Sequence, residues 1–434
     1  MAGALHLGLD IGTSGCRAIV IDDAEQPLLE HAVPLPAPAR NGDHCEQDPE
    51  LWWQAITALL AQVCPNIPRK RLRSIAVDGT SATLLLTDRT GTPLTPALMY
   101  NDGRGVAQAA LIATLAPDDS AARGVSSALA KLLYLTEAPL PHAPAHALHQ
   151  ADWIAGQLSG RFGISDENNC LKLGYDAVTR QWPAWLQALL GSRRALLPEV
   201  VAPGAALGTL APQRARQFDL PADVQVVAGT TDGVAAFIAT GAHQPGDAVT
   251  SLGSTLVLKL LSETPVFAPE FGVYSHRLGD LWLVGGASNC GGATLLQFFT
   301  AEQMQSLTPR LTPNTPTGLN YYPLPARGER FPVNDPNLEP RLQPRPADPA
   351  LFFQGLLEGL TAVEYRGYVR LAELGAGWPQ AVYSVGGGAH NPAWTALRQG
   401  RLGIPMKAAA HHQAAYGTAC LARRGYHALS AKTP

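Results

Sequence analysis

Apolar and polar positions alternate along the chain in a few recognisable ways. Residues 5–22 read LHLGLDIGTSGCRAIVID, two short apolar runs around the small residues Gly12, Thr13, Ser14 and Gly15. Such runs joined by a glycine-bounded turn predict a β-hairpin. Residues 246–260, GDAVTSLGSTLVLKL, repeat the pattern with Gly253, Ser254 and Thr255 at the tip. Two other segments, 224–240 and 381–397, pass from a β-rich run through a glycine turn into helical spacing. The order, hairpin first and strand–glycine–helix last, occurs twice. It predicts a duplicated α/β unit with domains at 1–243 and 244–434. Residues 49–64 and 352–374 carry apolar side chains at helical spacing, the first with Asp48 as its N-cap and the second stopping at Gly375. The proline-rich stretch 307–349 is expected to be an ordered surface excursion outside the core.

A length of 434 residues suits two domains, and 46% hydrophobic against 15% charged residues predicts a large packed core. The formal charge of −3 comes without a basic stripe, so nucleic acid is not expected as a partner. No apolar run reaches the ~18 residues of a membrane span, and the apolar start runs into Asp10, as a first strand and not a signal peptide would. Six cysteines without C-x-x-C spacing predict reduced thiols, a cytoplasmic home and no structural zinc.

The hairpin tips bear on chemistry. Small residues let backbone N–H groups approach an anion, and Thr or Ser hydroxyls add donors. Asp10 precedes the first tip, where a carboxylate would help hold Mg²⁺ beside a phosphate. In Gly229-Thr230-Thr231-Asp232-Gly233 an acid stands at the start of a helix, either as a cap or as a general base. Gly386-Gly387-Gly388-Ala389 before Asn391 fits an adenine site or a close helix–strand crossing. Lys131 and Lys172 could touch phosphates, with surface lysines as the default reading, and His411-His412 is read as a solvated loop.

Taken in order, LGLDIGTSGCRAIVID, EQDPELWW (46–53), VDGTSATLLLTDRTGTPLTPALMYNDGR (77–104), AGTTDGVAAFIATG (228–241), GASNCGGA (286–293), GER (328–330), GGGAHNPAW (386–394) and AAYGTA (414–419) resemble the FGGY carbohydrate kinases over nearly the whole chain. The resemblance implies two ribonuclease-H-like domains of the actin/hexokinase ATPase type with an interdomain cleft. It implies an ATP- and Mg²⁺-dependent kinase acting on a small-molecule sugar, as a monomer or homodimer. Asp232 would be the catalytic base and Asp10 the metal ligand. Thr13, Ser14, Gly253, Ser254, Thr255, Gly387, Gly388 and Asn391 would bind nucleotide, and Gly15, Arg17, Ser81 and Asp232 the substrate.

Where xylulose kinases carry Gln-Met-His-Gly, this chain has Asp78-Gly79-Thr80-Ser81. That is similar to the short D-ribulose kinases of cyanobacteria and plants, and implies D-ribulose as substrate. D-Xylulose or another polyol is the alternative within the family, and a non-catalytic actin-like ATP-binding protein the alternative outside it. Gln413 departs from the acid that many members carry before the last helix.

Overall fold

The first strand, β1 (Leu5–Ile11), is buried along its whole length. It pairs antiparallel with β2 (Gly15–Asp22), which pairs antiparallel with β3 (Pro27–Pro34). On its other side β1 runs parallel to β4 (Leu72–Gly79). With β5 (Ala206–Thr209) and β6 (Gln225–Val227), the sheet order is β5-β6-β4-β1-β2-β3. A run such as LHLGLDI stays apolar at almost every position because helices cover both faces of its sheet. One cover is α1 (Pro49–Val63), capped by Asp48, which accepts from Glu50 N at 3.0 Å; its face of Trp52, Ile56, Leu59, Leu60 and Val63 is buried. The other is α5 (Ala414–Ser430), which lies across β1, β4 and α2 (Asp232–Ala239). The approach is close enough that a Cβ on Gly8 would strike the Ala415 carbonyl, and one on Gly417 the Ala235 carbonyl. A further five-stranded sheet, built from 39–41, 44–47, 84–87, 97–98 and 146–149, completes this unit.

A computed structural model describes residues 3–431 and divides into two units, one running to Ala239 and resuming at Gln413, the other Thr240–His412. The break lies four residues before the expected 243/244 boundary, and the residues from 413 onward fold with the first unit. The cause is local: Thr418 Oγ1 donates to Asp78, Ser74 Oγ donates to the Ala422 carbonyl at 2.9 Å, and the small buried side chains of α5 pack against β1, β4 and α2.

The second unit has the sheet order β9-β10-β8-β7-β11-β12, formed by β7 (Asp247–Leu252), β8 (Leu256–Ser262), β9 (Tyr274–Leu278), β10 (Leu281–Ala287), β11 (Ala381–Val385) and β12 (Met406–Ala408). In both units an antiparallel run that begins with the hairpin, three strands in the first and four in the second, adjoins two parallel strands, so the duplication is in the topology. The correspondence differs from the sequence pairing by one strand. β11 sits beside the hairpin's first strand, as β4 does, while β6 occupies the position of β12. Similar glycine turns follow strands that hold different places in the sheet.

Helix α3 (Pro349–Glu373) anchors the second core and packs on α4 (Pro392–Leu402). Glu364 and Arg398, both fully buried, pair through two 2.7 Å bonds; Thr250 also donates to Glu364, and Arg398 to Ser384. The stretch 307–349 is not the surface excursion its composition predicts. Tyr321, Tyr322, Leu324 and Phe331 are buried from it, so an irregular backbone supplies core side chains.

Candidate active site

In the first unit the chain brings three carboxylates to the same ends of three neighbouring parallel strands. Asp10 ends β1, Asp78 ends β4 opposite it in register, and Asp232 follows β6, whose extension pairs Thr231 with Gly79. Ligands of open α/β sheets gather at these carboxyl ends. Asp10 is nearly buried and accepts from Arg17 Nη1 at 3.2 Å, its cross-strand partner. Asp78 is fully buried, with Thr418 donating to one oxygen. Its other oxygen, Oδ1, meets no donor among the described residues. Burial and the neighbouring Asp10 charge push Asp78 well above the usual carboxylate range. Asp78 therefore holds its proton more tightly than Asp10, which is raised mainly by burial and pulled back by Asp78 and by Arg17.

Asp232 starts α2, and Gly233 N donates to its Oδ1 at 2.6 Å. Lys172 lies within its field: burial lowers the ammonium and the Asp232 charge pulls it back up. Just before Asp232, Thr230 accepts from Asn168 Nδ2 at 3.0 Å.

The tip between β1 and β2 closes through Gly12 N to the Gly15 carbonyl at 3.0 Å. Thr13 and Gly15 are half-buried and Ser14 is exposed, with its carbonyl accepting from Leu35 N. After β4, Thr80 is buried and committed: its N–H and hydroxyl both donate to Gln150 Oε1 at 2.9 Å. Ser81 is half-buried beside it. Ala82 then takes a left-handed φ of 64°, and its carbonyl accepts from Lys131 Nζ at 2.7 Å.

Lys131 is not a surface residue. It is 1% exposed, donates also to Ser126 O at 2.8 Å, and burial lowers its ammonium to about 7. Lys172, Asp102 and Arg104 all act on it electrostatically. Asp102 in turn is fully buried, accepts from Cys45 N, and holds the Arg104 guanidinium through three bonds of 2.8–3.0 Å. A polar patch thus runs from Asp232 through Lys172 and Lys131 to Arg104.

In the second unit the tip Gly253–Thr255 is backed by the turn after β10: Gly292 N donates to the Gly253 carbonyl at 2.8 Å and Ala293 N to that of Ser254 at 3.1 Å. Glu329, 2% exposed, fixes that turn by accepting from Ser288 Oγ and Asn289 N, both at 2.7 Å. Gly386, at φ 85°, lies against the Leu252 carbonyl, and Gly387 is exposed beyond it. Gly388 packs on Trp394, which makes this turn a close helix–strand crossing. The Asn391 side chain caps α4 by accepting from Trp394 N and donates to Thr308, while its N–H donates to the Gly388 carbonyl at 3.1 Å and its carbonyl accepts from Thr395 N at 3.0 Å.

Sequence reasoning missed Asp78, Lys131, Asp102, Arg104 and Glu329 as site-forming residues. Asp78, Asp102, Arg104 and Glu329 stand in segments that carried the resemblance and Lys131 outside them, but only the strand register and burial show what each braces.

Comparison with known proteins accords with this architecture. Residues 5–239 match the N-terminal domain, and 248–426 the C-terminal domain, of the FGGY family of carbohydrate kinases. A xylulose kinase from Klebsiella pneumoniae is 25% identical over 289 residues, 64% of this chain and 59% of that protein. This match spans about three-fifths of the relative's length. An autoinducer-2 kinase from Yersinia enterocolitica is 25% identical over 94% of this chain and 83% of its own. Among solved structures, a xyloylose kinase from Brucella ovis superposes with a TM-score of 0.86 at 26% identity, covering 98% of this chain and 91% of that one. With both domain models matched in order along its two units, the chain belongs to the FGGY family of carbohydrate kinases.

Proposed function

We propose that the protein transfers the terminal phosphoryl group of ATP to a ketopentose, D-ribulose, giving D-ribulose 5-phosphate. The observation that carries the kinase reading is the convergence of Asp10, Asp78 and Asp232 at the carboxyl ends of three adjacent strands, beside a hydroxyl-bearing hairpin tip. Asp232 accepts the proton of the attacking hydroxyl. The N-terminal end of α2 favours its charged form, which a base requires. Thr13 and Ser14 donate to phosphate oxygens. Gly253, Ser254, Thr255, Gly387, Gly388 and Asn391 take the rest of the nucleotide. Gly15, Arg17 and Ser81 contact the sugar, with Lys172 and Lys131 completing the polar lining.

The residues fit Mg²⁺. Asp10 is a buried carboxylate oxygen donor, raised by burial and pulled partly back by Asp78 and Arg17, and hard cations prefer such oxygens. When bound, the ion neutralises charge on the transferring phosphate.

D-Ribulose is preferred over D-xylulose because Gly79 and Thr80, the latter locked on Gln150, stand where xylulose kinases carry Met-His, with Ser81 beside them. The names of the Klebsiella and Brucella relatives favour D-xylulose as the second reading. Measuring kcat/KM for both epimers and for glycerol separates the outcomes. A preference for D-xylulose overturns the substrate, and ATP hydrolysis without transfer to any sugar overturns the kinase.

A further inference from the structure

The buried imidazole of His6, at the start of β1, has one nitrogen whose partner is the wrong kind. Ser74 Oγ spends its hydrogen on the Ala422 carbonyl at 2.9 Å, so it can only accept from His6 Nδ1, 2.8 Å away. The hydrogen of neutral His6 therefore sits on Nδ1, and Nε2 presents a lone pair. That lone pair faces another electron-rich atom, Asp23 Oδ1, at 3.1 Å. Nε2 of His427, on α5, reaches the same oxygen at 3.1 Å. Such an arrangement needs a positive centre among the three atoms.

We propose that His6 Nε2, His427 Nε2 and Asp23 Oδ1 form a site for a transition-metal dication, with Zn²⁺ as the natural occupant. The three donors all lie within 4.8 Å of one another. Ligands at about 2.0–2.2 Å around tetrahedral zinc stand about 3.3–3.5 Å apart, close to the two distances observed. The Nδ1–H···Ser74 bond is the outer contact that ligating histidines make to fix their tautomer. Ala4 N donates to Asp23 Oδ2 at 2.7 Å and so orients the carboxylate. The nearest competing cation, Arg423, is paired with Glu25 at 3.0 Å. His427 and Asp23 are partly exposed, which leaves an entry path and room for water as the fourth ligand. Two imidazoles select Zn²⁺, Co²⁺ or Ni²⁺ over Mg²⁺. The site lies about 13 Å along β1 from Asp10, at the opposite strand end.

The test uses the full chain stripped with a chelator and titrated with Co²⁺, whose visible absorption reports nitrogen ligation. One equivalent should bind, be displaced by Zn²⁺ and resist Mg²⁺. His427→Ala should weaken Co²⁺ affinity at least about tenfold, with sugar-kinase turnover unchanged, while His412→Ala should alter neither. Absent absorption, or absorption undiminished in His427→Ala, overturns the proposal. So does a metal-free protein at pH 8 in which nitrogen NMR finds both His6 nitrogens protonated, since a proton would then fill the gap.

Discussion

Replacing Lys131 by Met offers a test of how the turn bearing Ser81 is held. The ammonium is 1% exposed and lowered from 10.5 to about 7. At about 1.4 kcal/mol per unit, keeping it charged in the folded protein costs about 5 kcal/mol at low pH. The unfolded chain binds the proton more tightly, so stability rises with pH from 7 to 10.5 on this account. Between pH 7 and 9 the gain is about 2 kcal/mol. Met fills similar space without titrating, but leaves the Ala82 and Ser126 carbonyls without their donor, at about 1–3 kcal/mol each. The terms nearly cancel at pH 7. The variant should then match the wild type at neutral pH and fall behind by about 2 kcal/mol at pH 9. Urea unfolding of both proteins at several pH values reads this directly. Loosening Ala82 should also raise the KM for sugar more than that for ATP. A stability difference that does not change with pH, or that shrinks as pH rises, refutes the reasoning.

Other outcomes are expected. Asp232→Asn should lower turnover by ~10²–10⁴ while ATP affinity, followed by calorimetry, stays within a few-fold. Asp78→Asn retains a donor toward Asp10 and should keep most activity; Asp78→Leu removes it, so the acid limb of the kcat/KM profile should move to higher pH. Ser81→Ala should erode discrimination between D-ribulose and D-xylulose by about 5- to 150-fold, the worth of one unpaired buried polar group, with the KM for ATP unmoved. Arg398→Ala strands the buried Glu364 charge and should cost about 3–5 kcal/mol in denaturant unfolding.

The hairpins, α1 with its Asp48 cap, and α3 stopping at Gly375 were legible because each is specified by neighbours in sequence. Asp10 and Asp232 stood out for the same reason, as acids beside glycine turns. Asp78 did not, since its meaning depends on lying level with Asp10 across a parallel strand pair, and that register is set by packing 68 residues apart in the chain. Lys131 looked like any helix-surface lysine, because only the fold shows that Ala82 and Ser126 close over it. The same holds for α5: nothing in AAYGTA says which unit its small side chains will meet. Tyr321 to Phe331 misled through composition, for prolines and polar residues can frame buried aromatics as well as a loop.

The lodging of α5 against β1 also sets a timetable for biosynthesis. The 173 residues of Thr240–His412 emerge from the ribosome between the first unit's main body and the helix that closes it. At about 5–20 residues per second, that is roughly 10–35 s during which the groove over Gly8 and Ser74 stays open. For that interval the nascent chain exposes an apolar sheet face that nothing yet translated can cover. The early half of the molecule is then a natural client for chaperones, and a ribosome stalled before residue 414 would release a product with an unfinished core.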